Sequence, residues 1–334
     1  MPGIGLLLLA FLRFPISPEW FIMGSSTQMV RGICLLPFRP LRLEDKELFL
    51  RYTSDLPFEN SEMSFANLFI WRQGWMIELC EQDGVLYLCY AHPETGCMGH
   101  MQPIVPKGMP VRPAVETAIA DISARACGLD IMGVNQEFVD RLRAEGADGF
   151  EVAEDRDLAE YIYLRSDLVD LPGKKYHAKR NHINKFLGGP GYDWVDLGPE
   201  HLDRCLMICD QWMQDHDGGD EARCEYYAVR EAVTHMEALG LTGALIEMSG
   251  KPVAFTVGER LRPDMALIHL EKADPTVPGI YAFLNQQFLY RNFPDVQFVN
   301  REEDMGIPGL RRAKESYYPH HMANKYRIRQ QCNP

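Results

Sequence analysis

A chain of 334 residues with 46% hydrophobic and 24% charged side chains has room for one large or two ordinary domains and the balance of a soluble globular protein; pure disorder, collagen and a disulfide-stapled miniprotein are excluded. Forty-seven acidic against 34 basic side chains give a formal net charge of −13, so the molecule as a whole repels polyanions and any phosphate or nucleic-acid contact has to be made by a local patch. The nine cysteines (Cys34, Cys80, Cys89, Cys97, Cys127, Cys205, Cys209, Cys224 and Cys332) show no C-x-x-C and no His/Cys cluster, which argues against a structural zinc and for buried free thiols in a reducing cytoplasm.

Residues 1–35 read as a leader. The runs 4–12 and 15–23 are apolar, but Arg13, Pro15, Pro18 and Glu19 interrupt them, and a bilayer helix wants about 20 consecutive apolar residues. No Lys or Arg precedes Leu6 and no A-x-A site follows. The expectation is a disordered segment or a mis-assigned start, Met23 or Met29 being sensible first residues, with an interfacial segment and a secretion signal as alternatives. No stable transmembrane insertion and a cytoplasmic location are expected.

From Phe38 the first half reads as a compact mixed domain. Residues 43–52 begin with an acidic, helical-looking stretch, and 65–71 are aromatic-rich. Residues 77–80 and 85–91 flank Gln82-Asp83-Gly84, a hairpin signal. A helix over 114–126 stops at Gly128. A strand at 130–134, a helix at 135–145 capped by Asn135, and strands around 150–152 and 161–164 follow.

The second half is patterned more clearly. In 199–216, Leu202, Cys205, Leu206, Cys209, Trp212 and Met213 recur at helical spacing and predict a core-facing stripe. A second helix over 221–239 ends at Gly240; strands at 241–248 and 252–259 flank Ser249-Gly250-Lys251; a strand at 265–270, a helix at 279–293, a short strand at 296–299 and a last helix at 308–317 complete the order. This is α+β, or mixed α/β: a largely antiparallel sheet that takes a parallel neighbour through a crossover helix. No repeat of 20–50 residues indicates a solenoid. A boundary at 166–173 divides residues 36–168 from 169–330.

Three constellations carry chemistry. The run 174–186 holds five Lys or Arg and two His, a local anion site in an acidic chain. As a helix it places Tyr176, Lys179, Arg180 and Ile183 on one face, with Asn181 and Lys185 pointing away; Lys175 lies at its start. A solvated basic helix is the alternative. At the end of an apolar strand, His269, Glu271 and Ala273 alternate with Leu270 and Lys272 before Asp274, either a polar site or a charged strand terminus. Asn300-Arg301-Glu302-Glu303-Asp304 leads from strand to helix, with Arg311, Arg312 and Lys314 about two turns on. The carboxylates suit an ammonium and the arginines a phosphate; simple stabilisation of the helix terminus with exposed ion pairs is the alternative. There is no P-loop, dinucleotide fingerprint, H-E-x-x-H or G-x-S-x-G, and Cys205 and Cys209 read as core rather than nucleophiles.

These runs, together with Gly250-Lys251-x-Val253-Ala254-Phe255-Thr256-x-Gly258-Glu259, make the chain resemble the uncharacterised proteins grouped with the C-terminal catalytic domain of phosphatidylglycerol lysyltransferase, over roughly 38–329. The resemblance implies two tandem GNAT-like domains of the acyl-CoA N-acyltransferase type, as in the Fem-type aminoacyltransferases, with the site mainly in the C-terminal half. It implies transfer of an aminoacyl group from aminoacyl-tRNA to a lipid or peptide acceptor. Under it Glu302, Glu303 and Asp304 grip the ammonium; Arg311, Arg312 and the Lys175/Lys179/Arg180 patch grip phosphate; and Glu271 or His269 accepts the proton. Tyr176, Asn181, Lys272, Asp274, Asn300 and Arg301 complete the substrate-binding set. No cofactor or metal is certain. The donor is an aminoacyl-tRNA, docked through the basic patch, or an acyl-CoA, although no glycine-rich pyrophosphate loop is evident. The multi-helix membrane portion of the full lipid synthase is not in this sequence, so the acceptor stays open among a small molecule, a peptide and a lipid headgroup. A CoA-dependent N-acyltransferase and a catalytically silent protein binding an anionic ligand are the alternatives.

Overall fold

The structure, a computed structural model, describes residues 35–92, 95–125, 130–215 and 220–331. The leader up to residue 34, Cys127 and Cys332 lie outside the described residues. In the first half, β1 (Arg39–Pro40), α1 (Lys46–Thr53) and α2 (Phe65–Trp71) precede a hairpin of β2 (Glu78–Gln82) and β3 (Val85–Ala91). Asp83 and Gly84 turn it with φ of 52° and 74°, the left-handed pair that a two-residue turn between twisted strands requires. Then come β4 (Met98–Met101), α3 (Arg112–Ala124), β5 (Ile131–Asn135), α4 (Gln136–Ala144) and β6 (Phe150–Glu154). Asn135 caps α4 as expected, its side-chain oxygen accepting from the Phe138 amide.

The second half runs β7 (Glu160–Leu164), α5 (Arg165–Asp170), α6 (His177–Leu187), β8 (Asp193–Asp196), α7 (Leu202–Asp215), α8 (Asp220–Thr234), α9 (Met236–Leu239), β9 (Leu241–Met248), β10 (Lys251–Arg262), β11 (Met265–Ala273), α10 (Ile280–Asn292), β12 (Phe298–Asn300), α11 (Pro308–Glu315), β13 (His321–Ala323) and β14 (Lys325–Gln330). The aromatic run 65–71 is a helix. The single helix expected over 221–239 is broken at His235, whose φ of −112° leaves the helical range.

There are two seven-stranded sheets, ordered β1-β2-β3-β4-β5-β14-β6 and β13-β7-β12-β11-β10-β9-β8. Each is antiparallel except for one parallel pair, β4 with β5 across α3 and β11 with β12 across α10. This is the tandem GNAT-like architecture. The division at 166–173 does not separate the sheets, however: β7 lies in the second sheet between β13 and β12, and β14 returns to the first between β5 and β6. The halves exchange strands, a long-range pairing that local alternation cannot reveal.

One hydrophobic cluster belongs to both halves. Phe65 and Phe69 of α2 share a core with Cys205 and Cys209 of α7, Val229 and Val233 of α8, and Phe255 and Val257 of β10, so the junction is packed like a domain interior. Cys205 and Cys209 are buried thiols, not nucleophiles. Among the described residues no helix is long and apolar enough to cross a membrane.

The strand exchange is pinned by charge. Lys325, the first residue of β14, is fully buried, and its Nζ lies 2.5 Å from the Glu160 carboxylate of β7 and 2.6 Å from Glu62. Glu160 also accepts from the Ser61 amide and hydroxyl at 3.0 and 2.6 Å. Removing one partner strands the other charges in a dry interior. Lys325→Met is therefore expected to cost about 3–5 kcal/mol of unfolding free energy in urea titrations. Combined with Glu160→Gln it should cost less than the two single losses added together; strictly additive losses would contradict the pairing.

Candidate active site

β12 ends at Asn300 while β11 runs on to Ala273, so past Asn300 the parallel pair loses its contact and the chain swings away. Open α/β sheets bind ligands at such carboxyl ends of parallel strands. A cleft of about 1340 Å³ opens here, walled by α2 and the first sheet on one side and by β11, residues 301–307, α11, α6 and the start of α10 on the other.

At its floor β11 carries a bulge. Val257 of β10 pairs with Leu270 and Gly258 with Ile268, which leaves His269 as the extra residue; bulges of this kind re-aim a side chain. The buried imidazole reaches the Glu259 carboxylate with Nε2 (3.1 Å) and the Glu302 carboxylate with Nδ1 (3.2 Å). Burial opposes its charge, but the two carboxylate hydrogen bonds override burial and lift its pKa to about 9. His269 is thus an imidazolium donating from both nitrogens. Glu259 in turn accepts from Ser64 Oγ, and Ser64 caps α2 by accepting from the Asn67 amide at 3.0 Å. The relay therefore links the amino end of α2 to a carboxylate in the cleft.

Glu302 adopts φ 55°, a left-handed conformation costly for a residue with a Cβ. It is held by the Asn300 side chain, whose Oδ1 accepts the Glu302 amide at 2.7 Å. Burial raises the Glu302 pKa despite the imidazolium. Next to it, Glu303 lines the cleft with Oε2 buried and accepting no hydrogen bond, the Lys325 ammonium standing 3.7 Å off. Glu62 completes the group; burial pushes its pKa up to about 7 even beside Lys325. Glu160, where burial alone would raise the pKa, is instead kept low by Lys325, Ser61 and Asn300.

The facing wall is cationic. Lys179 Nζ sits 3.7 Å from the centre of the Tyr317 ring and donates to Ser316 Oγ at 2.6 Å; burial and then the nearby Arg301 charge lower its pKa to about 8. Arg301 lies over the same ring (5.0 Å) and bonds Glu271 at 3.0 Å. Lys314 Nζ donates to the backbone carbonyls of Arg301 (2.6 Å) and Glu303, pinning the loop; burial lowers its pKa. Lys185, expected to face away, lines the cleft with His182.

Seven of the expected site residues therefore line the cleft: Lys179, His269, Glu271, Lys272, Arg301, Glu302 and Glu303. Lys272 pairs with Glu225 and lies 4.1 Å over the Trp212 ring. Others are committed elsewhere. Asp304 is buried and ligated by Arg311, Arg156, Tyr161 and the Gly306 amide, which hold it far below the usual carboxylate range although burial alone would raise it. It has no capacity left for an ammonium. Arg311 is spent on Asp304 and Asp157; Arg312 is exposed and outside the cleft. Arg180 donates to the carbonyls of Leu171 and Gly173, Tyr176 is buried with its hydroxyl on the Tyr317 carbonyl, and Lys175 lies 3.5 Å from Asp167. Asn181 contacts His177, Asp274 closes a turn on Thr276, and Asn300 is a buried brace. Of the two expected proton acceptors, His269 has both nitrogens against carboxylates, and Glu271 contacts Arg301 and Asn285.

Sequence reasoning missed Glu62, Ser64, Asn67 and Lys325. None sits in a charged run; the packing of α2 against the second half brings Glu62, Ser64 and Asn67 to the site, and the strand exchange brings Lys325. Among the described residues no group of three or more His, Cys, Asp or Glu is arranged to hold a metal ion.

The sequence matches the family described as phosphatidylglycerol lysyltransferase, C-terminal, over residues 53–329. A conserved protein of unknown function from Bacteroides thetaiotaomicron is 33% identical in an alignment covering 89% of this chain and 100% of that one, with a TM-score of 0.79. The structure of L-PGS from Bacillus licheniformis is 15% identical, covering 87% and 92%, with a TM-score of 0.61. An uncharacterized protein of Mycoplasmoides gallisepticum is 24% identical over 183 residues. That match takes in 52% of this chain and 56% of the relative, so the chain spans little more than half the length of this curated relative.

The imidazolium sets a pH dependence. Its folded-state pKa of about 9 lies above the ordinary 6.5, so its contribution to stability is complete below pH 6.5 and is lost as pH rises through 9. Melting temperature should fall over that window in the native protein, and His269→Gln should flatten the fall. An unchanged slope in the variant would show that another group carries it.

Proposed function

The chain belongs to the family of phosphatidylglycerol lysyltransferase C-terminal domains, and from that membership, which supports acyl or aminoacyl transfer in general, we propose that it moves an aminoacyl group from an activated ester to an amine or hydroxyl acceptor. The donor is of the aminoacyl-tRNA class. One observation carries this reading: a cleft with surplus carboxylate at one wall, including the unbonded Glu303 Oε2, and the cations Lys179 and Arg301 at the other. An aminoacyl ester of a nucleotide has that polarity, an ammonium at one end and phosphate at the other.

In this reading Glu303 and Glu62 clasp the α-ammonium and fix the ester carbonyl near Glu302. The acceptor nitrogen or oxygen attacks the carbonyl carbon, and its proton passes to Glu302, whose raised pKa brings it closer to working pH. The new bond to carbon forms as the carbonyl π pair moves to oxygen; its return expels the ester oxygen, which takes the proton from Glu302. Lys179 and Arg301 neutralise negative charge as it builds on the leaving side. His269 holds Glu302 in place and, being charged throughout, does not itself accept the proton.

A CoA-dependent reading has one feature in its favour: Gly279 to Ala282, the start of α10, lines the cleft beside Lys179 and His182, and helix starts attract phosphate. Incubation with pools of charged tRNA and, separately, with labelled acetyl-CoA distinguishes the two; transfer from the tRNA arm is expected. Glu302→Gln should lower kcat by about 100-fold or more, and Glu303→Gln should raise KM by about tenfold or more, each read in protein whose melting temperature confirms folding. Arg312→Ala should leave both constants alone. Turnover with acetyl-CoA alone would overturn the donor assignment.

A further inference from the structure

The carboxylates that line the cleft differ in one respect: most already have a cation. Glu271 is bonded by Arg301 at 3.0 Å, Asp155 by Arg327 at 2.5 Å, Asp157 by Arg311 at 2.7 Å, and Glu225 by Lys272. The surplus is confined to Glu62, Glu302 and Glu303, which with Glu160 and Glu259 behind them make five carboxylates around three cations, Lys325, His269 and Lys314. The unmatched negative charge of the cleft is thus gathered at one place.

From that place α2 runs along the wall as a ruler. Ser64 stands at the relay end, and Asn67 and Leu68, with Trp71 one turn further on, line the cleft in succession. Seven residues of helix advance about 10 Å, and beyond them Trp75 continues the wall. Met101 and Met132, paired neighbours on β4 and β5, extend this apolar wall. Gly133 follows Met132 with φ 68°, and a Cβ placed there would lie 3.1 Å from the Glu62 carboxyl carbon, so the acidic group and the methionine wall adjoin. In an α-amino acid the ammonium nitrogen and Cβ share one carbon and are about 2.5 Å apart. A side chain whose ammonium sits among Glu62, Glu302 and Glu303 therefore has the apolar wall of α2, β4 and β5 within reach.

We propose that this apolar compartment selects the aminoacyl group, and that the group it takes is bulky and uncharged, of the leucyl, methionyl or phenylalanyl kind, and not lysyl. This rests on the reading of the three carboxylates as the ammonium site. A lysyl side chain would carry its second ammonium about 6 Å past Cα, to a stretch of wall formed by Leu68, Trp71 and Met132, where every carboxylate within the cleft is already paired; burying it there unpaired is unfavourable. An isobutyl, thioether or phenyl group instead gains apolar contact.

The test is calorimetric binding of L-leucinamide, L-methioninamide, L-phenylalaninamide and L-lysinamide to the full chain, which needs no turnover. The three apolar amides should bind about tenfold or more tighter than lysinamide. Trp71→Ala should erode the preference, and Met132→Glu, which adds a carboxylate to the wall, should reverse it, each in protein whose melting temperature confirms folding. Lysinamide binding as tightly as the others to the native protein would overturn the inference and leave the ammonium site standing. Binding of none of the four would remove the ammonium site and the inference with it. A preference unmoved by either folded variant would overturn the location.

Discussion

A lysine ammonium with no access to solvent, placed among Glu62, Glu160 and Glu303, is the contact on which the rest of the molecule hangs. Desolvation by itself would strip Lys325 of its proton; the carboxylates hold its pKa far above the ordinary value instead. Each partner comes from a different part of the chain: Glu62 from the approach to α2, Glu160 from the exchanged strand β7, Glu303 from the loop after β12. One charge therefore ties together the strand exchange, the seating of the first half and, through the longer contact to Glu303, the path of the cleft loop. Buried ion clusters are poor stabilisers but good arbiters of a unique arrangement, and that is the use to which this one fits.

The cleft inherits its polarity from that arrangement. Carboxylates outnumber cations around Lys325 and His269, and the backbone of Glu302 is held left-handed by Asn300. The opposite wall depends on the Tyr317 ring, which carries Lys179 on one side and touches Arg301. Its position is set by Tyr176, whose hydroxyl bonds the Tyr317 carbonyl, so the basic helix α6 contributes both a cation and a structural tie. The basic run is therefore neither wholly a ligand site nor wholly a solvated face: Lys179, His182 and Lys185 turn inward, while Lys175 and Arg180 are consumed by local carbonyls and carboxylates.

Much of the fold was legible because its signals are local. The Asp83-Gly84 and Ser249-Gly250 turns, the Asn135 cap and the stripe from Leu202 to Met213 each depend on a few adjacent residues, and each is found where it was expected. The run 65–71 was ambiguous because it is apolar all round, which suits a buried helix or a strand equally. β8, β13 and β14 are short strands whose partners lie far off in sequence, so no local pattern betrays them. The site divides the same way. His269, Glu271, Arg301, Glu302 and Glu303 lie in dense charged motifs and converge, whereas Glu62 and Lys325 are isolated charges whose importance comes only from tertiary pairing. Asp304 and Arg311 sit in the same motif as the true cleft residues, and nothing in their spacing reveals that they satisfy each other.

The cleft carboxylate Glu302 is held by a histidine charged at neutral pH. Nitrogen-15 NMR of the histidine side chains across pH 6 to 10, with His269→Gln for assignment, measures this directly. Both ring nitrogens of His269 should carry protons at pH 7, and one of them should be lost near pH 9. A neutral ring at pH 7, with one bare nitrogen and a midpoint near the ordinary value, would contradict it and return His269 to the role of proton acceptor.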